Sequence, residues 1–145
     1  MSYENDKGIL RELGKQYMAY AHDPINLERK KLWSDFNDGV LTRPMITISQ
    51  ECFNELNMGG FLDLQCEDAF LRTVEEELRT NILKWQNHPA DMVLAPYIPY
   101  AKAVTNSGYG VSIVENTVPT DSANTVVSHD YVNQFETWDD LEKIK

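Results

Sequence analysis

The sequence predicts a small α+β protein, and three observations carry that reading. Apolar residues recur at intervals of three and four over 8–21, 25–36 and 67–87, which predicts an N-terminal helical pair and a long central helix. Two short apolar runs, Met45-Ile46-Thr47-Ile48 and Met92-Val93-Leu94-Ala95, read as strands. Beyond Pro96 the texture changes to prolines, glycines and short alternating pieces, which predicts a C-terminal antiparallel hairpin or meander.

The first helix is carried by Ile9, Leu10, Leu13, Tyr17, Met18 and Tyr20, and His22-Asp23-Pro24 ends it. Asp23 is a good N-cap and Pro24 a good first helical residue, so a second helix is predicted through Ile25, Leu27, Leu32, Trp33 and Phe36, stopping near Gly39. Arg43-Pro44 then leads into the 45–48 strand, expected to be buried on both faces with the proline at its start. Over 49–64 the pattern is weak. Cys52, Phe53, Leu56 and Met58 suit a short helix ended by Gly59-Gly60, in a loop or lid.

The central helix places Phe70, Leu71, Val74, Leu78, Ile82 and Trp85 on one stripe, with Glu75, Glu76, Glu77, Arg79 and Lys84 expected mostly on the solvent side. His88-Pro89-Ala90-Asp91 breaks it ahead of the 92–95 strand. The stretches 109–115, 125–128 and 131–135 read as short antiparallel strands, and Thr137 as the N-cap of a helix beginning at Trp138.

Composition narrows the function. The chain has 145 residues, 42% of them hydrophobic, enough for one core. Thirteen basic against 23 acidic residues give a net charge of −10, which disfavours nucleic acid as a partner. No apolar run approaches the roughly 20 residues that span a bilayer, so no membrane partner is expected. The N-terminus shows no basic region followed by an apolar stretch, and the expectation is a cytoplasmic protein. Cys52 and Cys66 match neither a CxxC motif nor a zinc knuckle and read as two free thiols.

No set of residues in the sequence converges on catalysis. His22, His88 and His129 fall in three different turns without metal-ligand spacing, so no metal site is expected. His22 and His88 suit hydrogen bonds to the last carbonyls of their helices, and His129-Asp130 an exposed turn. The three consecutive glutamates point about 100° apart and do not share a pocket, so they read as a solvated face. There is no GxSxG, P-loop or GxGxxG. Both cysteines read first as small core residues, although the start of a helix at Cys66 suits a thiol of lowered pKa. In Pro96-Tyr97-Ile98-Pro99-Tyr100-Ala101-Lys102, prolines stiffen a segment that sets aromatics beside a cation, suiting either an interface or a groove for a flat ligand. The candidate ligand or interface residues are Arg43, Tyr97, Tyr100, Lys102 and Trp138, with no catalytic residue among them.

The stretch from Asn26 to Asp38, followed by Thr42-Arg43-Pro44-Met45-Ile46, resembles the N-terminal region of uroporphyrinogen decarboxylase-like proteins, whose superfamily also holds corrinoid (cobalamin)-dependent methyltransferases. Cys66-Glu67-Asp68, Trp85 ahead of His88-Pro89-Ala90-Asp91, Ser107-Gly108-Tyr109-Gly110-Val111 and Thr137-Trp138-Asp139-Asp140-Leu141 are similar in order and spacing. The resemblance implies a segment that precedes a (β/α)8 barrel, a fold of about 250 residues that this chain is too short to contain. In that frame 1–145 is a single N-terminal, cap-like domain, truncated relative to its barrel parent. It comprises a helical pair over 1–41, strand-helix-strand over 42–95, a β-rich stretch over 96–136 and the start of a helix over 137–145. The arginine-rich motif of true decarboxylases is missing after Thr47, where Ser49-Gln50-Glu51 stands instead, which turns the expectation toward the methyltransferase branch. Zinc and a corrinoid would then belong to the parent, with no cofactor in this chain. The expected partners are the barrel portion of the parent or a homologous barrel protein, a corrinoid protein, or a second copy of the chain in a homo-oligomer. The competing expectation is a non-catalytic binding module docking through Tyr97, Tyr100 and Trp138. A third is a small independent enzyme using Cys52 or Cys66.

Overall fold

Helix α1 spans Tyr3–Ala21 and α2 spans Pro24–Asn37 in the computed structural model, which describes residues 3–49, 51–106, 108, 110–119 and 127–144. A single turn, α3, follows at Phe53–Leu56, then the long α4 at Ala69–Asn87, strands β1 at Glu115–Pro119 and β2 at Val127–Tyr131, and a 3-10 helix at Trp138–Lys143. Mixed helix and a two-stranded antiparallel sheet make this a small α+β protein. The chain divides into two compact units, Met1–Ile98 and Pro99–Lys145.

In the first unit the helix ends follow local chemistry. The Asp23 carboxylate accepts the Ile25 N–H at 2.8 Å, and Pro24 opens α2 without wasting a donor. His22 Nδ1 lies 2.8 Å from the Met18 carbonyl at the end of α1, the role its position predicts. Gly39, at φ 81°, takes the left-handed conformation that ends α2. Asp68 caps α4 by accepting from Phe70 N–H and Leu71 N–H, both at 3.0 Å.

The core lies where α1 meets α4: Leu13, Tyr17 and Ala21 against Leu78 and Ile82, with Leu94 laid across them. Tyr20 stacks on Trp85 with ring centroids 5.9 Å apart, and its hydroxyl accepts from Gln86 Nε2 at 2.7 Å. Helix α2 contributes little apolar burial. Ile25, Leu27 and Phe36 are exposed, and its one buried residue is Asn26.

The expectation of a solvated glutamate face fails at Glu75, which is fully buried, as is most of Arg79. Positions 75 and 79 stand three residues before Leu78 and Ile82, so helical spacing puts them on the flank of the same buried stripe. Glu76 and Glu77 turn away and stay exposed. Glu75 accepts the N–H groups of Gln65 and Cys66 and the guanidinium of Arg79, whose other arm donates to the Phe61 carbonyl at 2.7 Å. Asp6, buried on α1, accepts the next two N–H groups, Glu67 and Asp68, both at 3.1 Å. Two carboxylates from two helices thus hold four consecutive backbone donors, tying the chain that enters α4 to both helices.

The predicted strands at 45–48 and 92–95 join no ladder among the described residues, and Ile46 and Ile48 are exposed instead of doubly buried. Side chains take the place of neighbouring strands. Ile46 N–H donates to the Asp91 carboxylate, and the Asp91 N–H donates to the Ile46 carbonyl. Asn26 treats Leu94 as a strand would, accepting its N–H at 2.8 Å and donating to its carbonyl at 2.9 Å. A strand needs a second backbone alongside it, and composition does not supply one.

In the second unit β1 and β2 pair antiparallel from Glu115 opposite Tyr131 to Pro119 opposite Val127. The sequence pattern places strands at 109–115 and 131–135, each displaced from the ladder that forms. Of the expected 125–128 strand, 125 and 126 lie outside the described residues, as does Tyr109. His129, expected in a turn, sits within β2, stacked on Tyr131 and 3.0 Å from Glu115. The helix expected after Thr137 is of 3-10 form, and the Asp140 carboxylate accepts the Thr137 N–H and hydroxyl at 2.8 and 2.9 Å. None of the described residues from Pro99 onward is buried.

Candidate functional site

Proline decides where α4 ends, and with it the site. Pro89 disfavours helical backbone at His88, which leaves the helix at φ −154° and keeps only its N–H bonded to the Lys84 carbonyl. Pro89, Ala90, Asp91 and Met92 then form a tight turn closed by Met92 N–H donating to the Pro89 carbonyl at 2.7 Å. Ala90 has φ 44° there, a left-handed conformation that costs an L-residue about 1 kcal/mol. The strain is held because Asp91 is anchored on three sides. Its carboxylate receives both guanidinium arms of Arg43 and the Ile46 N–H, and its carbonyl accepts Trp33 Nε1–H at 2.7 Å. Hydrogen bonds from Arg43 and then from Ile46 hold the Asp91 carboxyl down at about 2.

One turn back on α4 stands Lys84, four residues before the C-cap His88. Both meet Glu51, whose side chain is only 4% exposed. Glu51 Oε1 lies 2.7 Å from His88 Nε2 and Oε2 lies 2.8 Å from Lys84 Nζ. Lys84 also donates to the Ile48 carbonyl at 3.3 Å. His88 therefore does not serve the helix carbonyls, as its position predicts, but a buried carboxylate from a distant segment.

Between this cluster and the Asp91 turn lies a cleft of about 230 Å³. Trp33, Ile48, Pro89, Met92 and Val93 give it apolar walls, and Lys84 and His88 are among the residues that line it. A second cleft, of about 320 Å³, opens beside Phe53, Asn57 and Arg79, the last two already paired. Arg79 is spent on Glu75 and the Phe61 carbonyl, and Asn57 on Leu62 N–H and Asp63.

The residues singled out from sequence are not gathered at either place. Arg43 borders the first cleft only through Asp91. Tyr97 is exposed at the end of the first unit, and Tyr100, Lys102 and Trp138 are exposed in the second. Cys52 is exposed rather than in the core. Cys66 is fully buried, and burial together with the neighbouring Glu75 carboxylate pushes its thiol up to about 12, opposite to the lowering its helix position suggests. Neither thiol has the setting of an activated nucleophile. Among the described residues no three His, Cys, Asp or Glu side chains group in a way that would hold a metal ion, and no helix is long and apolar enough to cross a membrane. Sequence reasoning missed Glu51 and Lys84. The four-residue spacing of Lys84 and His88 was a usable signal; the position of Glu51 was not. Compared with known family models, curated proteins and solved structures, the chain matches none of them.

Proposed function

We propose that the chain is the N-terminal segment of a uroporphyrinogen decarboxylase-like protein, of the branch linked to corrinoid-dependent methyl transfer, and that it serves there as a non-catalytic docking element. One observation carries the docking reading. The strand-forming runs at 45–48 and 92–95 join no ladder among the described residues, and Thr47 and Val93 make no backbone hydrogen bond among them. Backbone donors and acceptors are obligatory hydrogen-bonding groups, so such runs are ready to pair with further chain. The exposed Ile46 and Ile48, together with the exposed Phe36, Val40 and Leu41 earlier in the chain, supply apolar surface for the same purpose. The parent family rests on the series of segments from Asn26 to Leu141 that resemble it. Zinc and corrinoid chemistry then belong to the barrel, and the working compartment is the cytoplasm.

The test mixes the chain with a barrel protein of that family lacking its own N-terminal segment. Association in light scattering, with new hydrogen-exchange protection at 45–48 and 92–95, is the expected result. Absence of association at about 10 µM, or protection of both runs in the isolated chain, would sink the reading. A second reading, docking through aromatic side chains, is favoured by the exposure of Tyr97 and of Trp138, the latter at 87%. It predicts that Tyr97→Ala and Trp138→Ala abolish association while Thr47→Pro does not.

A further inference from the structure

The cleft between α4 and the Asp91 turn has apolar walls, some of them shared with the proposed docking runs, and polar groups at Lys84 and His88 that docking does not use. We infer that it is a binding site for a small monocarboxylic acid with an apolar body. Its volume of about 230 Å³ lies below the roughly 300–1,000 Å³ of pockets for drug-sized ligands, so the body is small. Trp33, Ile48, Pro89, Met92 and Val93 suit an aromatic or branched aliphatic group.

The acid group is selected by the nitrogens. Lys84 has three N–H bonds, of which Glu51 and the Ile48 carbonyl take two. Among the described residues the third has no acceptor and is left for a ligand. With its Nε2 held by Glu51, His88 has Nδ1 without a partner among the described residues. The charged groups around His88 are Glu51 from the preceding segment, Lys84 from α4, and Asp91 of its own turn, the last neutralised by Arg43.

Charge pairing lets an acid enter the cleft. Glu51 and Lys84 cancel when His88 is neutral. An entering carboxylic acid transfers its proton to His88 Nδ1 as its O–H bond breaks. The site then holds two negative charges, Glu51 and the ligand carboxylate, against two positive ones, Lys84 and the imidazolium. No charge is left unpaired in an apolar cleft, where an unpaired charge is costly. Glu51 orients the imidazole, a positioning role and not a catalytic one.

Benzoate, with benzamide as the neutral analogue, tests this on the full chain by NMR. Saturable shifts of the Trp33 indole N–H with benzoate, little effect of benzamide, and movement of the His88 Nδ1 signal to the protonated range are expected. Lys84→Met should weaken benzoate at least about tenfold. Should that variant fail to fold, Val93→Phe, which fills the cleft and leaves every charge in place, should abolish the same shifts. Equal binding of benzamide, an unchanged Nδ1 signal at saturation, or no saturable shift up to about 10 mM overturns the inference. None of these outcomes depends on a barrel partner, so failure here and failure of the docking reading are separable.

Discussion

Within Met1–Ile98 two helices close on a small apolar core and bury two carboxylates together with their donors; within Pro99–Lys145 none of the described residues is buried. The first unit uses Asp6 and Glu75 to finish what its few buried apolar side chains begin, fixing the entry to α4 by four backbone donors. The second has a two-stranded ladder and a short 3-10 helix, and leaves Ile113, Val118, Tyr131 and Trp138 exposed. An isolated two-stranded hairpin is marginal in water because it lacks a buried face. Stability in this chain should therefore be concentrated in the first unit, and substitutions can probe that contrast.

The largest effect is expected for Glu75→Ala. It strips two backbone N–H groups of their acceptor and leaves Arg79 buried without its partner, which costs about 3–5 kcal/mol. Urea denaturation followed by helix circular dichroism measures it, and cross-peaks from 115–119 should remain unchanged. A loss below about 1 kcal/mol would mean that the carboxylate does not organise the first unit.

Asp6→Ala comes next. Two N–H donors, Glu67 and Asp68, lose their acceptor at a cost of about 1–3 kcal/mol. Releasing Glu67 and Asp68 loosens the segment that carries Cys66, so the ratio of thiol labelling at Cys66 to that at Cys52 should rise. Unchanged labelling at Cys66 would place the closure elsewhere.

A smaller effect, dependent on pH, is expected at Arg43. The folded chain holds Asp91 at about 2 against an ordinary 3.8, through Arg43 first and Ile46 second. A lowered folded value stabilises the fold fully above 3.8, and that contribution disappears as pH falls toward about 2. Arg43→Met raises the folded value, so it should reduce stability above 3.8 and make no difference below about 2. The guanidinium is partly exposed and screened by solvent, which keeps the loss below that of Asp6→Ala. Acid titrations of both proteins monitored by Trp33 fluorescence measure it, and a constant gap across this window would assign Arg43 a role other than pairing.

The least effect belongs to the second unit. His129→Ala removes an exposed cross-strand contact with Glu115 and should change global stability by no more than about 0.5 kcal/mol. A larger loss would show that the two units unfold together, and would end the contrast.

The helices were legible because their signals are local. Asp23 sits one residue ahead of its helix, Gly39 just past it, and His22 beside the carbonyl it serves, whereas Asp68, the cap of α4, reads in sequence as part of the helix. The ladder was placed in the right part of the chain with a displaced register, since alternation over short exposed pieces carries little information about pairing. The candidate site was barely legible. Lys84 stands four residues before His88, but Glu51 reaches them across 33 and 37 residues of sequence.

Sequence by itself determined the helices, the Asp23 cap, the absence of a long apolar segment and the acidic balance, because each depends on neighbours within a few residues or on composition. Tertiary structure decided that Glu75 is buried while Glu76 is not, that Cys66 is inert, and that Asn26 and Asp91 stand in for strands beside Leu94 and Ile46. A carboxylate or a β-forming run takes its state from the donors that face it, and those donors come from segments that only the folded chain brings near.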